Sequence, residues 1–313
     1  MKKIALVKYA KRKENLYKVL DLISKDIQLY NKETILIKVA LPGFKEIYSN
    51  TNVEAVEILI SYLKRFPSIK NIIIAEGSQG FYYNKPTSEI FKRFKYNQLE
   101  RFNVSLLDLD ELEHNESVPV SLIDGTTDTI KIVRPKYDYM ISLVPPKTHD
   151  FLILSLGMLN MIGFVHPKDK IKLFGVRYED GSKRSLYSMP RFLHAIRIAH
   201  KNLVELVTRI HPDLSLIDGL YGMEGRGPLK GSPVFHGFAI ASTDFVKTDA
   251  LCSYVMGFKP DEIGYIYYSK KKKLGSTDFR AVIGERLDYV KFPYRAHPNF
   301  ENQKKWKGNN HGY

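Results

Sequence analysis

Two side chains able to bind anions and move protons, Lys147 and His149, follow a predicted β-strand over Asp138–Val144 in the segment VPPKTHD. We expect Thr148 to cap a following helix, which places Lys147 and His149 near a helix N-terminus. A cation beside an imidazole can bind an anionic substrate there and transfer protons at neutral pH. The alternative is that Lys147 is solvated and His149 only caps the helix.

A second polar segment, DGLYGMEGRGPLKG, follows a strand predicted over Leu214–Asp218 and contains glycines at 219, 222, 225, 227 and 231. So much glycine indicates backbone at positive φ or close to a ligand. Asp218 and Glu224 are candidate bases or divalent-metal ligands. Gly225, Arg226, Gly227 and Lys230 are candidate ligand-binding residues. The segment matches neither a Walker A loop nor a Rossmann fingerprint. A long hairpin-like loop is the structural alternative.

Four shorter signals follow other elements. The turn Glu76-Gly77-Ser78 comes after the apolar strand Asn71–Ala75 and can offer backbone N–H groups to an anion. Asp244 is a candidate helix N-cap. Asp249 lies inside that otherwise apolar helix, where a carboxylate is usually paired and could face a site. Asn160 is a further candidate ligand-binding residue.

Alternation of strands and helices predicts an α/β fold: a mostly parallel sheet with helices on both faces. The predicted elements include strands Ile4–Tyr9 and Thr34–Leu41 and helices Asn52–Phe66, Phe151–Ile162, Arg191–Ile210 and 245–256. Ligands bind beyond the carboxyl ends of such strands, so the polar segments above should line one cleft. The Pro145-Pro146 break suggests two lobes, 1–145 and 146–290, followed by an irregular basic tail, 291–313.

Several stretches resemble the domain-of-unknown-function family 362, over about residues 34–285. They are IIIAEGSQG, VSLLDLDE, DYMISLVPPKTHD, LSLIDGLYGMEGRGPLKGSP and ASTDFVKTDALCSYVMGF. The resemblance implies an α/β core of unestablished activity. Many members carry ferredoxin-like cysteines, which this chain lacks. Leu159 stands where relatives usually have a lysine, although Asn160 is retained. If that lysine contributes to catalysis in relatives, this chain is a divergent or inactive member.

The leading hypothesis is an enzyme or former enzyme that acts on a small carboxylate- or phosphate-bearing metabolite, with a divalent metal as an option. A hydrophobic fraction of 44% and the lack of a long apolar run predict a soluble, cytoplasmic protein without a membrane span. The net charge of +14 leaves nucleic-acid binding as the alternative. That alternative rests on a basic run and on aromatic residues of the tail: Lys183, Arg184, Arg191, His194, Arg197, Lys201, Phe292, Tyr294, Phe300 and Trp306.

The cysteine content makes one testable prediction. Cys252 is the single cysteine, and an iron–sulfur cluster needs about four thiolates. We expect anaerobically purified protein to be colourless and to contain neither iron nor acid-labile sulfide. Stoichiometric iron and sulfide in the monomer would contradict this expectation.

Overall fold

The computed structural model describes residues 2–77, 85–177 and 189–307. The strands are β1 (Ile4–Lys8), β2 (Thr34–Val39), β3 (Asn71–Glu76), β4 (Ser105–Asp108), β5 (Glu116–Ser121), β6 (Thr127–Ile132), β7 (Tyr139–Val144), β8 (Lys147–His149), β9 (Ile153–Ser155), β10 (Leu214–Glu224), β11 (Ser232–Ser242) and β12 (Val282–Gly284). The helices are α1 (Arg12–Leu22), α2 (Val53–Leu63), α3 (Thr87–Arg93), α4 (Met189–Arg209), α5 (Phe245–Val255), α6 (Gly264–Lys271), α7 (Leu287–Val290) and α8 (Phe300–Gln303).

One large sheet organises the described part of the chain, with the strand order β12-β1-β11-β10-β7-β2-β3-β4. The run from β10 through β7, β2 and β3 to β4 is parallel, whereas β11 is antiparallel to both of its neighbours. β8 extends the sheet beyond β7, since it pairs with β10 and with β9. Strands β5 and β6 form a separate antiparallel pair. The predicted α/β class with a mostly parallel sheet is confirmed.

Two apolar cores cover the two faces of the sheet. Alternate residues of β2 take part in different cores: Ile35 and Ile37 pack with α1 and α2, and Leu36 packs with α4 and α5. This is the pattern expected of a strand buried on both faces. Asn52 caps α2, because its side chain accepts the N–H of Glu54. Among the described residues, no helix combines the length and apolar character needed to cross a membrane.

The helix predicted over Phe151–Ile162 is wrong. The chain instead forms the short antiparallel strands β8 and β9, followed by a 3-10 helix over Leu159–Phe164. Thr148 therefore caps no helix, and its hydroxyl donates to the carbonyl oxygen of Gly225 at 3.0 Å. Nearly every side chain of this segment is buried, and an apolar run that is buried all round shows no reliable period.

The glycine-rich segment also differs from its predicted form. β10 continues past Asp218 to Glu224 and pairs with β11, so the loop is confined to residues 225–231. Strands from both sides of Pro145-Pro146 share the large sheet, since β7 pairs with β10. The division into lobes at that point stays a prediction.

The C-terminal tail is more ordered than the sequence suggests. Up to residue 307 it contains α8 and a 3-10 turn over Lys304–Lys307, and it packs on the core. Trp306 and Tyr294 are buried, and the Trp306 indole donates to the carbonyl oxygen of Glu262. Neither ring is exposed for stacking on a nucleobase, as the nucleic-acid hypothesis supposed. Lys183 and Arg184 lie outside the described residues.

Candidate functional site

A narrow cavity opens where β2 and β7 end and β8 begins. Its volume is about 40 Å³, enough for a few water molecules or a small organic acid. We call it the Lys147 cavity. It is lined by Ala40, Pro42, Lys147, His149, Ser155, Leu156, Leu159, Asn160, Ile162, Phe174 and Pro228. Its place beyond the ends of parallel strands is the usual place for a ligand in such a fold.

Lys147 is the cation of this cavity and is only 1% exposed. Its Nζ has one long hydrogen bond, 3.4 Å to the carbonyl oxygen of Pro145, and no ion pair within the described residues. Burial lowers the pKa of Lys147 to about 7; nearby Glu76 opposes this drop and Lys38 adds to it. A buried ammonium without a counter-ion is costly, so this residue is poised either to lose its proton or to bind an anion.

His149 lies on the same face of β8 as Lys147, two residues along the strand. Its Nδ1 accepts the N–H groups of Phe151 and Leu152 at 3.0 and 3.1 Å. The neutral ring therefore carries its proton on Nε2. The Asp150 carboxylate lies 3.3 Å from Nδ1, but two backbone donors already occupy that atom. Burial lowers the pKa of His149, and Asp150 opposes that shift.

A buried ion pair between Lys38 and Glu76 stands beside the cavity. The Lys38 Nζ donates to Glu76 at 2.6 Å, to Asn160 at 3.0 Å and to a backbone carbonyl at 2.7 Å. Burial lowers the pKa of Lys38 while Glu76 opposes the drop, and three acceptors around one Nζ favour the ammonium form. The other Glu76 oxygen accepts the N–H of Leu41, and Asn160 also donates to Ser142.

A second charged pair completes this cluster, which we call the lysine cluster: Lys38, Lys147, Lys170, Glu76 and Asp110. The Nζ of Lys170 is fully buried and lies 3.7 Å from Asp110. Asp108 also acts on Lys170 through space. Of the three lysines, Lys147 is the one without an ion-paired carboxylate among the described residues, and it faces the cavity.

Sequence reasoning missed Lys38 and Ser142, although one signal was available. Lys38 interrupts the apolar run TILIKV of β2, and Ser142 interrupts YMISLV of β7. Both strands are buried, and a polar residue in a buried strand usually has a specific partner. Here both polar side chains meet Asn160.

Asp218 and Glu224 do not line the Lys147 cavity, contrary to the single cleft expected from the sequence, and the catalytic role suggested for them stays a prediction. Asp218 shares the face of β10 with Leu214 and Leu216, which pack toward α1 and α2. There the Nε of Arg12 donates to it at 2.8 Å, and Arg12 also pairs with Glu54. Burial raises the pKa of Asp218, and Arg12 opposes that rise.

Glu224 accepts the backbone N–H of Arg295 at 2.8 Å, so it anchors the tail. Among the described residues, no group of three or more His, Cys, Asp or Glu side chains could hold a metal ion. The suggested metal-ligand roles of Asp218 and Glu224 therefore find no geometric support.

The remaining predicted ligand-binding residues lie in different parts of the structure. Glu76, Gly77 and Asn160 lie at or beside the cavity, and Gly227 packs so closely on Thr148 that a Cβ would clash. Arg226 and Lys230 are exposed, and Gly225 receives the Thr148 hydroxyl bond. Ser78 lies outside the described residues.

The two aspartates of the α5 region have structural partners. Asp244 caps α5 through the N–H of Lys247. Asp249 accepts the N–H groups of Gly157 and Met158 at 2.9 and 3.0 Å, and burial raises its pKa to about 7. Asp249 thereby fixes the turn that leads into cavity residues Leu159 and Asn160.

The contrast between Asp218 and Glu224 gives a stability prediction. Asp218→Asn leaves the buried Arg12 without its partner, so we expect it to lower the free energy of unfolding by about 3–5 kcal/mol. Glu224→Gln keeps an oxygen for the Arg295 N–H at a more exposed position, so we expect a loss below about 1 kcal/mol. Urea unfolding of both variants measures the difference. Equal effects would contradict the assignment.

Lys147 and Lys38 provide a second matched pair. Lys147→Met removes an uncompensated buried amine, so at pH 7 we expect stability equal to or above that of the wild type. Lys38→Met leaves the buried Glu76 carboxylate without its partner, so it should lower the free energy of unfolding by about 3–5 kcal/mol. Because the folded pKa of Lys147 lies below that of an unfolded lysine, the wild type gains stability as the pH rises from about 7 to about 10.

Urea titrations between pH 7 and pH 10 test this pair. Lys147→Met should show a smaller gain with pH than the wild type. A large loss of stability in Lys147→Met at pH 7 would show that the amine is structurally paired.

This chain is partly similar to known proteins. The thylakoid-associated protein of Synechocystis sp. is 29% identical over 140 residues, which is 45% of this chain and 39% of that protein. The lactate racemase apoprotein from Thermoanaerobacterium thermosaccharolyticum has a similar fold, with a TM-score of 0.51 and 13% identity. That likeness covers 80% of this chain and 57% of the racemase chain. The chain thus spans well under two thirds of either protein.

A family model supplies the wider match, across the strands and turns that build the Lys147 cavity. The model "Domain of unknown function (DUF362)" matches residues 35–254, which include most of β2, the Lys147–His149 strand, the glycine-rich segment and most of α5. This agrees with the resemblance found in the sequence motifs, and the chain belongs to the DUF362 family.

Proposed function

We propose that this protein is an enzyme, or a descendant of one, that binds a small carboxylate in the Lys147 cavity. The observation that carries the proposal is the buried, uncompensated Lys147 amine in the wall of that cavity. A bound carboxylate would supply the negatively charged partner that Lys147 lacks among the described residues. The volume of about 40 Å³ favours a small organic acid over a bulkier phosphorylated metabolite.

Two cavity residues have different roles, one in binding the anion and one in transferring protons. The Lys147 ammonium binds the carboxylate, and Nε2 of His149 donates or accepts a proton. Leu156, Leu159 and Phe174 form an apolar wall. That wall lowers the local dielectric and so strengthens the attraction between Lys147 and the anion.

Two further observations bear on this proposal. A lactate racemase shares the fold, and lactate is a small carboxylate, but a fold hosts many functions and lends support only by analogy. Of the tail aromatics named for the nucleic-acid alternative, Trp306 and Tyr294 are buried and Phe292 is exposed, so the alternative keeps only part of its support. The cytoplasmic location inferred from the sequence stays part of the proposal.

Ligand-dependent thermal stability tests the proposed function. We expect acetate and lactate to raise the melting temperature of the wild type at matched ionic strength, and phosphate to raise it less. A bound anion stabilises by about 2.7 kcal/mol when its concentration is a hundred times Kd. The effect should weaken above pH 7, because Lys147 then loses its proton.

The control variants separate the cavity from general salt effects. Lys147→Met should lose the carboxylate-dependent shift. Lys272→Met removes a surface cation that pairs with Glu205, and it should keep the shift. Equal shifts in all three proteins would mean that carboxylates act as bulk salts, and the proposal would fail.

A further inference from the structure

We infer that Lys147 is a nucleophile that forms an imine with the keto group of a small 2-oxo acid. This inference rests on the proposed function, because it places a carboxylate in the Lys147 cavity. It goes further by giving the amine a covalent role and by naming 2-oxo acids as the ligand class.

The hydrogen bonding of Lys147 differs from that of its neighbour Lys38. The Nζ of Lys38 has three acceptors within 3.0 Å, so its proton-bearing form is fixed by partners. The Nζ of Lys147 has one acceptor at 3.4 Å and no carboxylate among the described residues. Of the described residues that line the cavity, Lys147 is the one lysine. Its amine is therefore the one placed to present a lone pair to a ligand.

The surroundings of Lys147 favour the neutral amine. Burial and the positive charge of Lys38 lower the pKa of Lys147 to about 7. A substantial share of the amines then carries a free lone pair at neutral pH, against fewer than about one in a thousand for an exposed lysine. Buried lysines with lowered pKa are the usual Schiff-base residues.

Charge balance indicates why the carbonyl compound would be an acid. Lys38 and Lys170 each have a carboxylate beside them, Glu76 and Asp110, whereas Lys147 has none among the described residues. An imine that becomes protonated adds one positive charge to this buried cluster. The carboxylate of a 2-oxo acid brings the compensating negative charge on the same molecule, whereas a simple ketone would not.

The reaction balances without any further reagent. The Nζ lone pair attacks the keto carbon and forms the C–N bond, and the carbonyl oxygen takes up a proton to give a carbinolamine. The oxygen then leaves with the two former N–H protons as one water molecule, and the C=N bond remains. His149 supplies and recovers the proton through Nε2, because its Nδ1 is occupied by two backbone N–H groups.

Reductive trapping tests the inference. Wild-type protein is incubated with pyruvate and sodium cyanoborohydride, and the adduct is located by intact mass and peptide mapping. We expect one adduct per chain, at Lys147, with a yield that rises from pH 6 to pH 8 as the amine loses its proton. Lys272→Met should behave as the wild type does, and Lys147→Met should give no adduct.

Lys147→Arg separates the two levels of the proposal, because arginine keeps the cation but is not a nucleophilic amine. It should retain stabilisation by acetate and give no adduct. If pyruvate stabilises the wild type but no adduct forms, or if adducts spread over exposed lysines, the imine is refuted and carboxylate binding stands. If neither acetate nor pyruvate stabilises the protein, the proposed function itself fails.

Discussion

The ammonium of Lys38 sits inside a sheet that is covered on both faces, so its charge must be neutralised where it stands. Glu76 does this from the neighbouring strand, and its second oxygen holds the N–H of Leu41 at the start of the cavity wall. Gly163 is confined by the same pair, since a Cβ there would lie 2.5 Å from the Glu76 carboxylate and from Lys38. One buried ion pair thus connects β2, β3 and the 3-10 helix that closes the cavity.

Lys147 differs from Lys38 because no carboxylate among the described residues is bonded to it. The carboxylate of Glu76 already bonds to Lys38, so it acts on Lys147 only through space. A buried charge usually has a partner of opposite charge, as Asp218 has the guanidinium of Arg12. Departures from that rule tend to mark places where a ligand completes the structure.

The sequence predicted the parts of this architecture that depend on local pattern. The capped, amphipathic α2 and the apolar strands β2, β3 and β7 have clear periods or lengths. The errors lie where tertiary pairing decides: β10 runs on to Glu224 only because β11 lies beside it. Lys147 and His149 were predicted as site residues from their types and their place after a strand. The role of Lys38, by contrast, depends on a partner 38 residues away. The interruption of β2 by Lys38 indicates that a partner exists, but no local pattern identifies Glu76 as that partner.

Leu159 is the point at which this chain departs from the lysine that its family resemblance implies. The side chain of Leu159 lines the Lys147 cavity and is nearly buried. A lysine there would put a second amine, and a second charge, into a volume of about 40 Å³. Leucine instead adds apolar wall, which disfavours the charged form of Lys147 and leaves a single amine facing the ligand. The substitution therefore changes the chemistry that the cavity can support, and loss of activity is not its necessary consequence.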